Sequence, residues 1–139
     1  MSFIDLNLGD DIQEKECAPE GSYDLVVTSA KMKEKEYDGG VKGFMIEIVH
    51  DIEGTEQPYR SVYHYLSIPN EGDDKDKAYN KQAGIKRYLL ASGIPFDANG
   101  FSVEDIQGAR FNCNLKVEVD DSGKYPPQNR MDLPAIPRD

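Results

Sequence analysis

Tyr59, Tyr63 and Tyr65 stand at odd positions of the run Tyr59-Arg60-Ser61-Val62-Tyr63-His64-Tyr65-Leu66-Ser67-Ile68. β-Branched and aromatic residues dominate this run, so residues 59–68 read as a strand. Successive strand residues point to opposite faces. One face takes Arg60, Val62, His64, Leu66 and Ile68, and the other takes Tyr59, Ser61, Tyr63, Tyr65 and Ser67. The aliphatic set makes the better core face. The tyrosines then form a row that is part apolar and part wet. Such a row suits the stacking of unpaired bases, because every base has a π-face. A strand buried on both sides would use the same rings as core, and the strand alone weights these two readings about equally.

Other chemistries find less support. His50 and His64 are the only histidines, and neither stands at a metal-ligand spacing from Cys17 or Cys113. Asp73, Asp74 and Asp76 open like a calcium loop, but the glycine and terminal glutamate such a loop needs do not follow. They read as acids at a helix start. No Walker-type loop and no G-x-S-x-G occurs. His50 and Asp51 are neighbours on a strand and point apart, so they cannot act as an acid–base pair without a bulge. Cys17 lies in an irregular arm, where a nucleophile is poorly preorganised. The expectation is a binding protein and not an enzyme, with no catalytic residue, metal or cofactor.

The elements that must position the tyrosines follow from the pattern on either side. Residues 1–20 are an acidic arm, with Asp5, Asp10, Asp11, Glu14, Glu16 and Glu20 against Lys15. Pro19-Glu20-Gly21 turns into a strand over 22–32. Tyr23, Leu25 and Val27 share one face of that strand, and Val26, Thr28, Ala30 and Met32 share the other, which predicts a central or strongly coiled strand. Asp38-Gly39-Gly40 is a turn. A second strand covers 41–52, with Phe44, Ile46 and Ile48 on one face. After the tyrosine strand, residues 74–92 read as a helix, with an Asp73 or Asp74 cap and Gly93 as its stop. Gly84 inside that helix suggests close packing. Ser102 and Asp105 resemble a weak capping box for a short turn over 103–107. A fourth strand over 109–119 alternates cleanly. Phe111, Cys113, Leu115, Val117 and Val119 face inward, while Arg110, Asn112, Asn114, Lys116 and Glu118 face water. The last strand is broken by Pro126-Pro127 and is an edge, continuing over 129–133. Residues 134–139 are a tail.

The predicted fold is mainly β, in the order strand, strand, strand, helix, strand, strand. That is the order of an OB-fold, a five-stranded antiparallel Greek-key barrel with one helix between strands three and four, here over residues 21–133. The ligand face of such a barrel is formed by strands two and three and by the loops after strands one and four. Lys33, Lys35 and Tyr37 bound the first loop, and Lys124 and Tyr125 bound the second.

Length and composition agree with one modest domain: 139 residues, 38% hydrophobic and 30% charged. No apolar run approaches the roughly 20 residues of a membrane helix. The opening residues lack the basic and apolar segments of a signal peptide. The expected location is the cytoplasm, that of the host cell for a viral protein, with both cysteines as free thiols. A net charge of −10 argues against crude attraction to nucleic acid. Through Glu56, however, there are 14 acidic and 5 basic residues, and from Gln57 onward 12 and 11, so the excess is local.

Several stretches resemble one family. They are Pro19-Glu-Gly-Ser-Tyr-Asp-Leu25, Phe44-Met-Ile-Glu-Ile48 and Val62-Tyr-His-Tyr-Leu-Ser-Ile68, with Lys86-Arg-Tyr-Leu-Leu-Ala-Ser-Gly-Ile-Pro95 and Gln107-Gly-Ala-Arg-Phe111. The family is the bacteriophage OB-fold single-stranded-DNA-binding proteins, including a branch catalogued as phage proteins of unknown function. The resemblance spans residues 19–133 and rests on hydrophobic spacing and a few glycines. It implies coating of single strands in phage replication or recombination, with replication or recombination proteins as partners. Many such proteins end in an acidic tail that recruits partners. This chain ends Leu133-Pro-Ala-Ile-Pro-Arg-Asp139 and carries its acids at the other end.

The expected function is low-specificity binding of single-stranded DNA. Tyr59, Tyr63 and Tyr65 would stack bases, Tyr37 and Tyr125 would add surface, and Lys33, Arg60, Arg110, Lys116 and Lys124 would meet phosphates. Strict alternation turns Arg60 away from the tyrosines, so its role requires a bulge or a strand end. The alternative is an acidic protein-interaction or nucleic-acid-mimic domain without DNA affinity. The interrupted last strand leaves dimerisation by strand pairing open.

Overall fold

A computed structural model describes residues 2–37 and 40–138. Asp38 and Gly39, on which the expected first turn falls, lie outside the described residues, as do the side chains of Tyr37 and Val41. The chain forms β1 (Gly21–Tyr37), β2 (Val41–Glu53), β3 (Val62–Ser67), α1 (Lys75–Ser92), a 3-10 turn (Val103–Asp105), β4 (Arg110–Glu118) and β5 (Gln128–Asp132). The strands form one antiparallel sheet in the order β3-β2-β1-β4-β5. Among the described residues no helix is long and apolar enough to cross a membrane.

β1 is the centre of the sheet, as its two apolar faces predict. It is longer than expected and pairs with β2 from Asp24 to Tyr37, but with β4 only from Gly21 to Val26. Its register slips between Val27 and Ser29, where Thr28 bulges. A bulge inserts one residue and reverses the side-chain alternation beyond it. Leu25 and Val27 are buried before the bulge, and Ala30 packs on the same core after it. Lys31 and Lys33 are thereby turned to the outside. The bulge is held by the side-chain amide of Gln107, which donates to the Thr28 carbonyl at 2.7 Å.

β3 and β5 are the two edges and face one another across a seam without joining by a strand ladder. The closure expected of a barrel is therefore not made by strand pairing. One end of the seam is bridged by the arm instead. Arg60 N donates to Glu16 O at 2.9 Å, Ala18 N donates to Asn129 Oδ1 at 2.7 Å, and Asn129 Nδ2 donates to Ala18 O at 2.8 Å.

The core lies between the sheet and α1. Ile46, Ile48, Val62, Leu66 and Leu115 come from the strands, Tyr88 and Leu89 from α1, and Ile94 and Ile106 from the following loops. Asp74 caps α1 by accepting from Lys77 N at 2.7 Å, and Gly93 ends it in the left-handed region at φ 72°. Two expectations fail here. Ser102 makes no side-chain cap bond, and a Cβ added at Gly84 would meet nothing within 4 Å, so this glycine marks no close packing. Cys17 and Cys113 are free, and burial pushes the Cys113 thiol up to about 11.

Candidate nucleic-acid interface

Facing residues of an antiparallel ladder project to the same side. Tyr65 pairs with Glu47, and Tyr63 with Val49. Glu47 in turn pairs with Lys31, and Met45 with Lys33. Tyr63, Tyr65, Lys31 and Lys33 therefore share the outer face of β3, β2 and β1. The two rings are 52% and 47% exposed, so the core does not need them.

Lys33 Nζ lies 2.9 Å from Glu47 Oε1. That hydrogen bond is the chief reason the Lys33 ammonium is held above its ordinary value. Partial desolvation, with Glu47 nearby, raises the Tyr65 phenol. Both groups thus keep their protons at neutral pH, so the face presents a cation and an uncharged phenol side by side.

The open edge adds a second feature. Ile68 N donates to Phe44 O at 3.0 Å, so the even-numbered residues of β3 direct their backbone groups to β2. Backbone direction alternates along an edge strand. The N–H and C=O groups of Tyr63, Tyr65 and Ser67 therefore face the seam. Tyr63 and Tyr65 there border a cleft of about 600 Å³ whose other wall is Glu118, Gln128, Asn129 and Arg130.

The expected site residues separate into groups. Tyr63, Tyr65 and Lys33 come together. Tyr59 does not join them: β3 begins only at Val62, and the half-buried Tyr59 ring packs edge-on against Tyr23, with centroids 6.3 Å apart. Arg60 lines the end of the cleft but is a tie. Its Nε donates to Lys15 O at 2.6 Å and its Nη1 to Pro127 O at 3.4 Å. Arg110 and Lys116 lie on the outer face of β4, ion-paired to Glu53 at 3.1 Å and to Asp132 at 3.9 Å. Lys124 and Tyr125 sit in the β4–β5 hairpin, with the ammonium 5.5 Å from the ring centroid. Asp120 organises that turn by accepting from Ser122 Oγ at 2.7 Å and Tyr125 N at 2.9 Å. Tyr37 ends β1.

Two cations were not expected at the site. Lys31 is on the tyrosine face because of the Thr28 bulge. Arg130 is on the far wall of the cleft, paired with Glu118 at 2.9 Å. Lysines two apart at 31, 33 and 35 carried a signal for the first, since such spacing puts them on one face of a strand.

His50 and His64 lie behind the tyrosine face and not on it, and His64 also lines the seam cleft. His50 is buried, with Nδ1 2.9 Å from Val62 O and Nε2 2.8 Å from Tyr88 Oη. A carbonyl only accepts, so Nδ1 carries the proton and Nε2 accepts from the phenol. Burial lowers the pKa of both imidazoles, to about 4 for His64. Asp51 points outward and accepts from Ser61 Oγ at 2.7 Å, away from His50.

Comparison with family models and with curated proteins gave no match to this chain.

Proposed function

We propose that this protein binds single-stranded DNA without catalysis and with little sequence preference. The observation that carries the reading is the pair of half-exposed rings, Tyr63 and Tyr65, set beside Lys31 and Lys33 on one outer sheet face. Stacked bases would lie on the rings while the backbone meets the lysines. Edge backbone groups of β3 and the Arg130 wall extend the same track across the seam. The strand order, with its helix between the third and fourth strands, fits a partly open OB-type barrel.

The face is not a basic patch, since Glu47, Glu118 and Glu53 each pair with a cation on or beside it. Binding would exchange those carboxylates for phosphates, so affinity rests heavily on stacking. Coating of single strands in phage replication or recombination is the role that fits such binding. The test is titration of labelled oligo-dT at low and moderate salt. Saturable binding that weakens with salt supports the reading. No binding at low salt overturns it and leaves the acidic protein-interaction alternative.

A further inference from the structure

The arm before the seam tether is apolar as well as acidic. Phe3, Ile4, Leu6, Leu8 and Ile12 all stand in solvent, from 56% exposed at Ile12 to 94% at Phe3. Asp5, Asp10, Asp11, Glu14 and Glu16 lie among and just beyond them, against Lys15 alone. Ile4, Leu6 and Leu8 alternate with Asp5 and Asn7, so an extended arm offers one apolar and one polar edge. None of the described residues covers that apolar edge.

Helix α1 carries the complementary surface. Lys75, Lys86 and Arg87 stand exposed along it, while Lys77 and Lys81 are ion-paired to Asp73 at 3.8 and 2.8 Å. Along α1 runs a hollow of about 570 Å³, floored by Ile85, Leu89, Phe96 and Phe101. It adjoins a second hollow of about 590 Å³ beside Tyr79, Ala83 and Ile136, edged by Arg87 and Arg138. Gln82 and Lys86, one helical turn apart, stand between the two hollows, so the groove on α1 is divided by that ridge. The 18 helical residues span about 27 Å, and the extended residues 2–8, before the turn in which Ile12 N donates to Gly9 O, span about 23 Å.

We infer that the arm of one copy lies in the α1 groove of a second copy, with the exchange reciprocal. Ile4, Leu6 and Leu8 enter the apolar floor, and Asp10 and Asp11 meet Lys86 and Arg87. Charge of opposite sign on the two surfaces fixes the pairing. Within one chain the arm leaves its tether beside Asn129, at the start of β5, whereas the groove lies beside Ile136, past the end of β5. A reciprocal exchange closes on itself and gives a twofold pair.

The test is sedimentation of the full-length chain and of two variants, each checked for folding by circular dichroism. One is Leu6→Asp with Leu8→Asp, in the arm. The other is Lys86→Glu with Arg87→Glu, in the groove. All four positions are exposed, so the fold is expected to stand. The parent chain should sediment above its 15.6 kDa monomer mass, and less so as salt rises. Each variant alone should be monomeric. An equimolar mixture should associate again, because one variant keeps its groove and the other its arm. A monomeric parent chain, or a mixture that fails to associate, overturns the inference. So does a groove variant that self-associates like the parent and loses only oligo-dT binding, which would assign the groove to DNA.

Discussion

The imidazole of His64 is stacked on the ring of Tyr88, with centroids 5.1 Å apart and planes 16° from parallel. Burial, helped by the nearby His50, holds His64 at about 4 against an ordinary 6.5. Between those values the unfolded chain takes up a proton that the folded chain refuses. Stability therefore falls as pH drops from about 6.5 to about 4, by on the order of 2–3 kcal/mol. His50, also lowered, acts in the same direction. Asp73 and Asp120 are held below 3.8 by their hydrogen bonds, so their contribution is lost only at lower pH. Urea titrations at pH 7 and 4.5 measure the loss, and His64→Phe should flatten it.

Tyr88 also donates to His50 Nε2 at 2.8 Å, in a buried pair whose other end is the Val62 carbonyl. Tyr88→Phe keeps the ring and its stack but leaves a buried acceptor without a partner. The expected cost is about 1–3 kcal/mol. The check is a lower urea midpoint at unchanged m-value, since the same surface is exposed on unfolding.

Gly84 has the opposite sign. It lies inside α1, and an added Cβ meets nothing within 4 Å. Gly84→Ala should stabilise the fold by about 0.5–1 kcal/mol, chiefly by restricting the unfolded chain. A thermal melt reads this as an upward shift of a few degrees.

Much of this architecture was legible because strands announce themselves by alternation. β4 was bounded within a residue at each end, and of its expected inward residues Phe111, Cys113 and Leu115 join or pack on the core, whereas Val119, past the end of the strand, is 69% exposed. α1 was legible from its caps and spacing. The Thr28 bulge was not, because one inserted residue leaves composition untouched while reversing the faces beyond it. Strict alternation from Val27 would have put Lys31 and Lys33 in the core. Tyr59 was misplaced for a related reason: strand propensity continues through residues 59–61, but there the Arg60 backbone bonds to Glu16 of the arm. Contacts between such distant segments leave no local pattern. The seam between β3 and β5 was equally out of reach, since the order of the strands says which are neighbours and not whether the last pair closes.

Arg60 and the two lysines should differ in salt dependence. On the proposed reading Lys31→Ala and Lys33→Ala would each remove a phosphate contact, so each should lower the magnitude of the log–log salt slope by about 0.7. Arg60→Ala removes ties to Lys15 and Pro127 and should leave the slope unchanged while loosening the arm. Anisotropy of oligo-dT across a salt series reads the slopes, and hydrogen exchange at residues 15–18 reads the arm.

The central claim is that bases stack on Tyr63 and Tyr65. The most direct measurement is the affinity of the Tyr63→Ala, Tyr65→Ala double variant for oligo-dT, beside the parent chain at one low salt concentration. Both rings are about half exposed, so the variant should fold. Each lost stack is worth about 1–3 kcal/mol, and the account predicts at least a tenfold weaker affinity with the salt slope preserved. A folded double variant that binds as tightly as the parent would contradict it.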